Sequence, residues 1–293
     1  MILSEMSKPP AAYTINHEGL RLDIALVETE KLLIHEQIIP YRLNKLKASI
    51  ERDGVQSAPI LVDRRTHVVL DGMHRTTIMK ELGCRFTCVC LLDYFDPSIT
   101  IQRWCRMVPA PFNKKNAETL LNELDLKHES FDLVESPEDD ESLLLIFKDS
   151  GIKIITEDDD LVEAFKKSYK LERKLQEWGY KILHCTESEA RENLTSGSFE
   201  ATMYLPKLDK LKVLDVAQKK NIFTPKATRH RLPARPVAVN APLSLLRDKE
   251  ITVEEANRRL YDLLKDKKIK RFDPGTEWMG RTYDEVLYVF SDS

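Results

Sequence analysis

Asp71-Gly72-Met73-His74-Arg75 concentrates more potential chemistry than any other stretch of this chain. It follows a short apolar run, Val68-Val69-Leu70, and leads into a helix-like segment over 76–82 closed by Gly83. A strand that ends in Asp-Gly and turns at once into a helix leaves the first backbone N–H groups of that helix without internal partners. With the imidazole of His74 and the guanidinium of Arg75 they aim at one point beyond the strand end, a point that suits an anion and most often a phosphate. Ile34-His35-Glu36-Gln37, from a separate segment, offers Glu36 as a carboxylate for acid/base work beside it. The same residues would equally serve an ordinary strand–turn–helix with a polar turn.

A second cluster lies far downstream. Residues 219–247 contain Lys219, Lys220, Lys226, Arg229, Arg231, Arg235 and Arg247 and neither Asp nor Glu. At the centre, Thr224-Pro225-Lys226-Ala227-Thr228-Arg229-His230 is a proline-started loop dense in donors. Three readings are open: a patch on DNA backbone, a clamp on nucleotide phosphates, or a basic surface loop. A net charge of −3 and a sequence pI of about 6.2 weigh against DNA.

The elements that must position these residues alternate in type. An extended segment over 22–33 precedes a helix over 42–52, which carries Leu43, Leu46 and Ile50 on one face and stops at Gly54. Strands over 59–62 and 67–70 flank the polar turn Asp63-Arg64-Arg65-Thr66. Further strands are expected over 86–94 and 99–107. Period-two spacing puts Thr100, Gln102, Trp104 and Arg106 on one face of the latter, which is unlike a core face and would look into a site. Val108-Pro109-Ala110-Pro111 punctuates the chain. Beyond it come a helix over 117–126, a solvated acidic loop over 135–141 and a hairpin pairing 143–147 with 152–155. A long helix over 159–178, strands over 180–185 and 201–205 around a helix over 188–194, and a helix over 253–264 complete the set. The tail carries Trp278, Tyr283, Tyr288 and Phe290. The pattern gives an α/β (α+β) chain with two domains. These are 1–108 and 109–293, the second including the basic loop (219–236) and the C-terminal helix, with the active site in the cleft between them.

Composition sets the outer bounds. A chain of 293 residues can bury two cores; 42% of it is hydrophobic and 32% charged, with the signs nearly balanced. No apolar run approaches a membrane span, and residues 1–5 do not open a secretory signal, so a cytoplasmic protein without membrane partners is expected. The five cysteines (Cys84, Cys88, Cys90, Cys105 and Cys185) are odd in number and form no CxxC pair. They read as buried strand thiols rather than as disulfides or a zinc site.

Taken together, Ile34-His35-Glu36, Pro40-Tyr41-Arg42, Asp53-Gly54, Pro59-Ile60 and Leu70-Asp71-Gly72-Met73-His74-Arg75 resemble the ParB/sulfiredoxin superfamily over roughly residues 20–108. In that superfamily a Gly-x-His-Arg or Gly-x-Arg-Arg turn at a helix start holds nucleotide phosphates. With Lys226-Ala227-Thr228-Arg229-His230 added, the chain resembles the archaeal free L-serine kinases of that superfamily, which commonly use ADP and make O-phospho-L-serine and AMP for cysteine biosynthesis. Sulfiredoxins carry a nucleophilic cysteine between the Gly and the His-Arg; a thioether at Met73 cannot form that sulfur adduct. Many serine kinases carry a second histidine at the Met73 position. ParB partition proteins continue into a helix-turn-helix, whereas 110–218 alternates strands and helices.

The resemblance implies a phosphotransferase that takes ADP or ATP, with Mg²⁺ accompanying the donor. Gly72, His74 and Arg75 would cradle the phosphates, and Lys226, Thr228, Arg229 and His230 would close over them. Glu36 would be the general base on the serine hydroxyl. Asp71 would hold Mg²⁺ or orient that hydroxyl. Trp104 and Arg106 would contact serine. His35 suits a structural hydrogen bond rather than catalysis. The alternatives are a ParB-like nucleotide-switched DNA-binding protein and a nuclease or nucleotidase; nucleic acid is the less favoured partner. Monomer and dimer are both open.

Overall fold

The computed structural model describes residues 11–132, 141–156 and 160–292. The acidic run expected as a solvated loop lies, up to Asp140, outside the described residues. Two compact units emerge: one combines the chain up to Thr100 with 230–293, and the other is formed by 101–229.

The first unit opens with β1 (Tyr13–His17) and β2 (Leu20–Glu28), an antiparallel hairpin turning at Glu18-Gly19, where φ is +48° and +92°. A short 3₁₀ turn (Thr29–Lys31) precedes α1 (Pro40–Asp53). Proline occupies the first helical position, where its missing N–H costs nothing, and Gly54 ends the helix in the left-handed region at φ +66°. There follow β3 (Val55–Gln56), β4 (Ile60–Asp63), β5 (Val69–Asp71), α2 (Met73–Glu81) and β6 (Phe86–Leu92). The sheet order is β1-β2-β6-β4-β5; β4 runs parallel to β6 and the other neighbours are antiparallel. Ala25, Val27, Leu32, Ile60, Val62, Val69, Val89 and Leu91 form a core cluster of this unit.

β7 (Thr100–Arg103) carries the chain into the second unit, where β8 (Cys105–Val108), α3 (Lys114–Glu123), β9 (His128–Asp132), β10 (Leu143–Ile146) and β11 (Ser150–Ile154) follow. Then come α4 (Leu161–Glu177), β12 (Leu183–Cys185), α5 (Glu187–Ser196), β13 (Ala201–Tyr204) and α6 (Lys210–Gln218). Six strands pair in the order β12-β8-β13-β10-β11-β9. The N-cap side chains Asn113, Asp160, Thr186 and Asp209 each accept from backbone N–H groups of the helix they start.

The chain returns through β14 (Thr228–Arg231) and adds β15 (Ala234–Val237), β16 (Ala241–Pro242), α7 (Leu243–Leu246), α8 (Val253–Leu264), β17 (Lys268–Phe272), β18 (Glu277–Trp278), β19 (Arg281–Thr282) and β20 (Val286–Ser291). β20 is the middle of a three-stranded sheet, parallel to β15 and antiparallel to β17. This division differs from a break at 108/109, which leaves 230–293 with the second domain. The cause lies in polar pairing that hydropathy does not reveal. β16 pairs with β3. Asn257 of α8 accepts from Leu26 N–H at 2.7 Å and donates to Leu26 C=O at 2.9 Å, so its amide acts as one more strand residue beside β2. Such bonds contribute about 1 kcal/mol each, and losing a partner there would strand buried backbone groups. All five cysteines are buried free thiols, and burial pushes Cys88 and Cys185 up to about 12.

Candidate active site

Val69 N–H donates to Leu33 C=O at 2.8 Å, and Leu33 N–H to His67 C=O at 3.0 Å, so the segment after the 3₁₀ turn runs parallel to β5 with Leu33 bridged to Val68. The pairing is a single bridge, and Glu36 follows it three residues later, after Ile34 and buried His35. Ile34 packs on the same apolar cluster as Met73, the first residue of α2. Where a polar donor could stand, Met73 therefore fastens the start of the helix to the core. Half-buried Glu36 lies next to His35, which has no exposed surface. Burial and then the charge of His230 push the His35 imidazole down to about 3, against a hydrogen bond with the Val69 backbone. His35 is thus a neutral structural histidine.

Gly72 makes the turn at φ +113°, ψ +24°. A Cβ there would meet Ile60 Cγ2 at 3.1 Å and Arg75 Nη2 at 3.2 Å, so both conformation and space call for glycine. The helix N-terminus has no side-chain cap, and its first internal bond is Thr76 N–H to Gly72 C=O. The N–H groups of Met73, His74 and Arg75 precede that bond, the arrangement that receives an anion.

The side chains beside this turn are more committed than their types suggest. His74 Nε2 accepts the Ile39 N–H at 2.9 Å, so this imidazole nitrogen caps α1 and does not donate outward. Arg75 Nη1 donates to Ala58 C=O at 2.8 Å and Pro59 C=O at 3.0 Å, and Nη2 lies 3.5 Å from Asp71 Oδ2. Arg235 Nη1 reaches the same Oδ2 at 2.6 Å while its Nε pairs with Glu285. Burial raises the Asp71 carboxyl, but the Arg235 and Arg75 guanidiniums outweigh it and hold the group far below the usual carboxylate range. An oxygen shared by two guanidiniums does not fit a direct Mg²⁺ ligand, and among the described residues no three His, Cys, Asp or Glu side chains gather as a metal site.

His230 belongs to this unit as well. Its Nε2 lies 2.7 Å from the hydroxyl of fully buried Tyr94, and its ring meets that of His35 edge-on at 5.5 Å between centroids. The first unit thus holds Asp71, Gly72, His74 and Arg75 where β5 turns into α2, and sets His230 against Tyr94 and against His35, the neighbour of Glu36.

The second unit collects the rest. Trp104 interrupts the strand between β7 and β8, which breaks the alternation expected over 99–107. Lys226 Nζ sits 4.5 Å from the Trp104 ring centroid and Arg229 Cζ 5.4 Å, so the indole organises the basic loop. Arg229 also donates to Gln102 Oε1 at 3.3 Å, and Thr228 is buried. Arg106, expected at the substrate, is only 1% exposed and spends its donors internally on Glu172 (3.1 Å), Trp104 C=O (3.0 Å) and Pro225 C=O (3.2 Å). It holds the loop. His184 Nε2 takes the other Glu172 oxygen at 3.2 Å.

Sequence reasoning left Tyr94, Glu172, Tyr283 and Glu285 without roles. Arg235 had a signal, because it stands in the acid-free stretch; Glu285 had none, since its register beside Arg235 is set by the pairing of β15 with β20.

No family model matches the chain. Among curated proteins it is similar to an ATP-dependent L-serine kinase of Staphylothermus marinus, 29% identical over 76% of this chain and 90% of that one. It is also similar to an ADP-dependent L-serine kinase of Thermococcus kodakarensis, 24% identical over 77% and 94%. A solved free serine kinase in complex with AMP matches with a TM-score of 0.65 at 23% identity, over 77% of this chain and 94% of that chain, a likeness of fold. The resemblance carried by the Glu36, Asp71–Arg75 and Lys226–His230 motifs is borne out by these relatives.

Proposed function

We propose that this chain is a free L-serine kinase, transferring a phosphoryl group from ADP or ATP to the serine hydroxyl to give O-phospho-L-serine. The observation that carries the reading is the start of α2 at the Gly72 turn, where no side chain caps the helix and the N–H groups of 73–75 precede its first internal bond. Phosphoryl transfer asks mainly for two reactants held in line and for charge to be neutralised. In this reading the N–H groups of 73–75 receive donor phosphate oxygens, Glu36 takes the hydroxyl proton, and the serine oxygen forms its bond to phosphorus as the bond to the leaving AMP or ADP breaks. Lys226 and Arg229, braced on Trp104, supply positive charge. Asp71 anchors Arg75 and Arg235 beside the turn. Mg²⁺ belongs to the donor's phosphates rather than to a protein site.

The relatives include both donor types, and the residues named here contact phosphate rather than distinguish ADP from ATP. No helix among the described residues is long and apolar enough to cross a membrane; a cytoplasmic enzyme that feeds cysteine synthesis is part of the proposal. The test is nucleotide turnover by the purified protein with and without L-serine. Serine-dependent release of AMP from ADP, or of ADP from ATP, is the expected result. Serine-independent release would mark a nucleotidase. No turnover together with duplex-DNA affinity that falls steeply with salt would mark a ParB-like binder.

A further inference from the structure

The C-terminal hairpin of the first unit holds a cation for which the roles above leave no use. β18 and β19 pair Trp278 with Arg281 and Glu277 with Thr282 across Met279-Gly280, whose φ values of +49° and +73° give the primed two-residue turn that matches strand twist. The ladder extends through Gly275 N–H to Tyr283 C=O (2.7 Å) and Tyr283 N–H to Thr276 C=O (3.0 Å). Trp278 and Tyr283 pack with Phe272 on Val237, Leu287 and Val289, which fixes the hairpin to the three-stranded sheet.

Arg281 is exposed, yet its guanidinium is held over the Tyr283 ring, 4.6 Å from the centroid. The same ring carries Arg235, whose guanidinium centre lies 5.4 Å away and whose Nη1 grips Asp71. A tyrosine thus joins Arg281 to the charge cluster at Asp71, the residue before the Gly72 turn, and Arg281 is among the charges that lower the Asp71 carboxyl. In that cluster three guanidiniums (Arg75, Arg235, Arg281) face two carboxylates (Asp71, Glu285). Arg75 and Arg235 are consumed by carbonyls and carboxylates. Arg281 forms no ion pair with any described residue. Three guanidiniums against two carboxylates leave one positive charge in excess, and the unpaired, exposed guanidinium is that of Arg281.

We propose that Arg281, positioned by Tyr283, is an oxyanion-binding residue of the substrate site, taking a carboxylate of the amino acid or a phosphate of the nucleotide. The proposal rests on the serine-kinase reading for the identity of the substrate, and on the arginine cluster alone for the anion. A planar, exposed guanidinium suits either group bidentately.

Calorimetric titration of wild type, Arg281→Ala and Arg281→Lys with L-serine, serinamide, AMP and inorganic phosphate tests it. Arg281→Ala should weaken one ligand class by about tenfold or more, leave the other within about twofold, and leave the melting temperature unchanged, with Arg281→Lys recovering part of the loss. A loss confined to L-serine, with serinamide unaffected, assigns the carboxylate. A loss confined to AMP and phosphate assigns the phosphate. Equal binding of every ligand by wild type and Arg281→Ala overturns the proposal. If wild type makes no phosphoserine, the kinase reading falls on its own. Phosphate titration then still decides Arg281: weaker binding by the alanine variant upholds it, and equal or absent binding overturns it.

Discussion

Lowering the pH from 7.5 to 5.0 should destabilise this protein by about 2 kcal/mol through one buried imidazole. His35 has no exposed surface, and burial, reinforced by the charge of His230, holds it at about 3 in the folded state. In the unfolded chain the group titrates at about 6.5. Below that value the unfolded chain binds a proton that the folded chain refuses. The stability contributed by neutral His35 is therefore complete above about 6.5 and falls by about 1.4 kcal/mol per pH unit until the folded group itself titrates near 3. From 7.5 to 5.0 that integrates to about 2 kcal/mol, whatever the folded value, provided it lies well below 5. Burial and then the charge of Lys31 lower His67, which adds loss of the same sign. Asp23 and Asp71, both lowered, contribute only below about 4 and leave this window clean. Urea unfolding at pH 7.5, 6.5, 5.5 and 5.0, run on wild type and on His35→Gln, isolates the term. The variant should lose about 2 kcal/mol less across the range. Equal slopes for the two proteins would refute the assignment of His35 as a neutral buried group.

Glu36→Gln should lower turnover by about two to four orders of magnitude while AMP binding, followed by calorimetry, is retained; unchanged turnover would remove Glu36 from the chemistry. Gly72→Ala forces a side chain into the left-handed region against Ile60 and should cost about 1–3 kcal/mol in thermal unfolding, with weaker AMP binding. Glu172→Ala leaves the Arg106 guanidinium buried without its carboxylate and should destabilise by about 3–5 kcal/mol in urea, with a raised nucleotide KM as the basic loop loosens. Glu172→Gln, which keeps a hydrogen bond, should fall between the two, and stability equal to wild type in the alanine variant would contradict the loop-holding role.

Local signals in the sequence carried much of the first unit. Pro40 and Gly54 bracket α1, and the alternation of apolar and turn residues around Asp63–Thr66 places β4 and β5 within two residues. Glycine at position 72 is dictated by φ and by Ile60, so the turn is written in the residue itself. Arg106 shows where such reading ends. Its place on a polar strand face suggested a substrate contact, but a break at Trp104 and a carboxylate 66 residues away at Glu172 turn it inward. His74 is likewise more committed than its type suggests: its Nε2 accepts from Ile39 N–H, which leaves donation to Nδ1. The C-terminal residues were the least legible. Their short strands carry little periodicity of their own, and their membership of the first unit depends on Asn257, on β16 and on the register of β20, all of them long-range pairings.

The claim that this chain phosphorylates free L-serine is tested most directly by phosphorus NMR of purified protein with L-serine and Mg²⁺, supplied with ADP or ATP in separate reactions. An O-phosphoserine resonance should grow in step with AMP from ADP, or with ADP from ATP, and be absent when serine is left out. A folded protein that binds nucleotide yet gives no phosphoserine with either donor would contradict it.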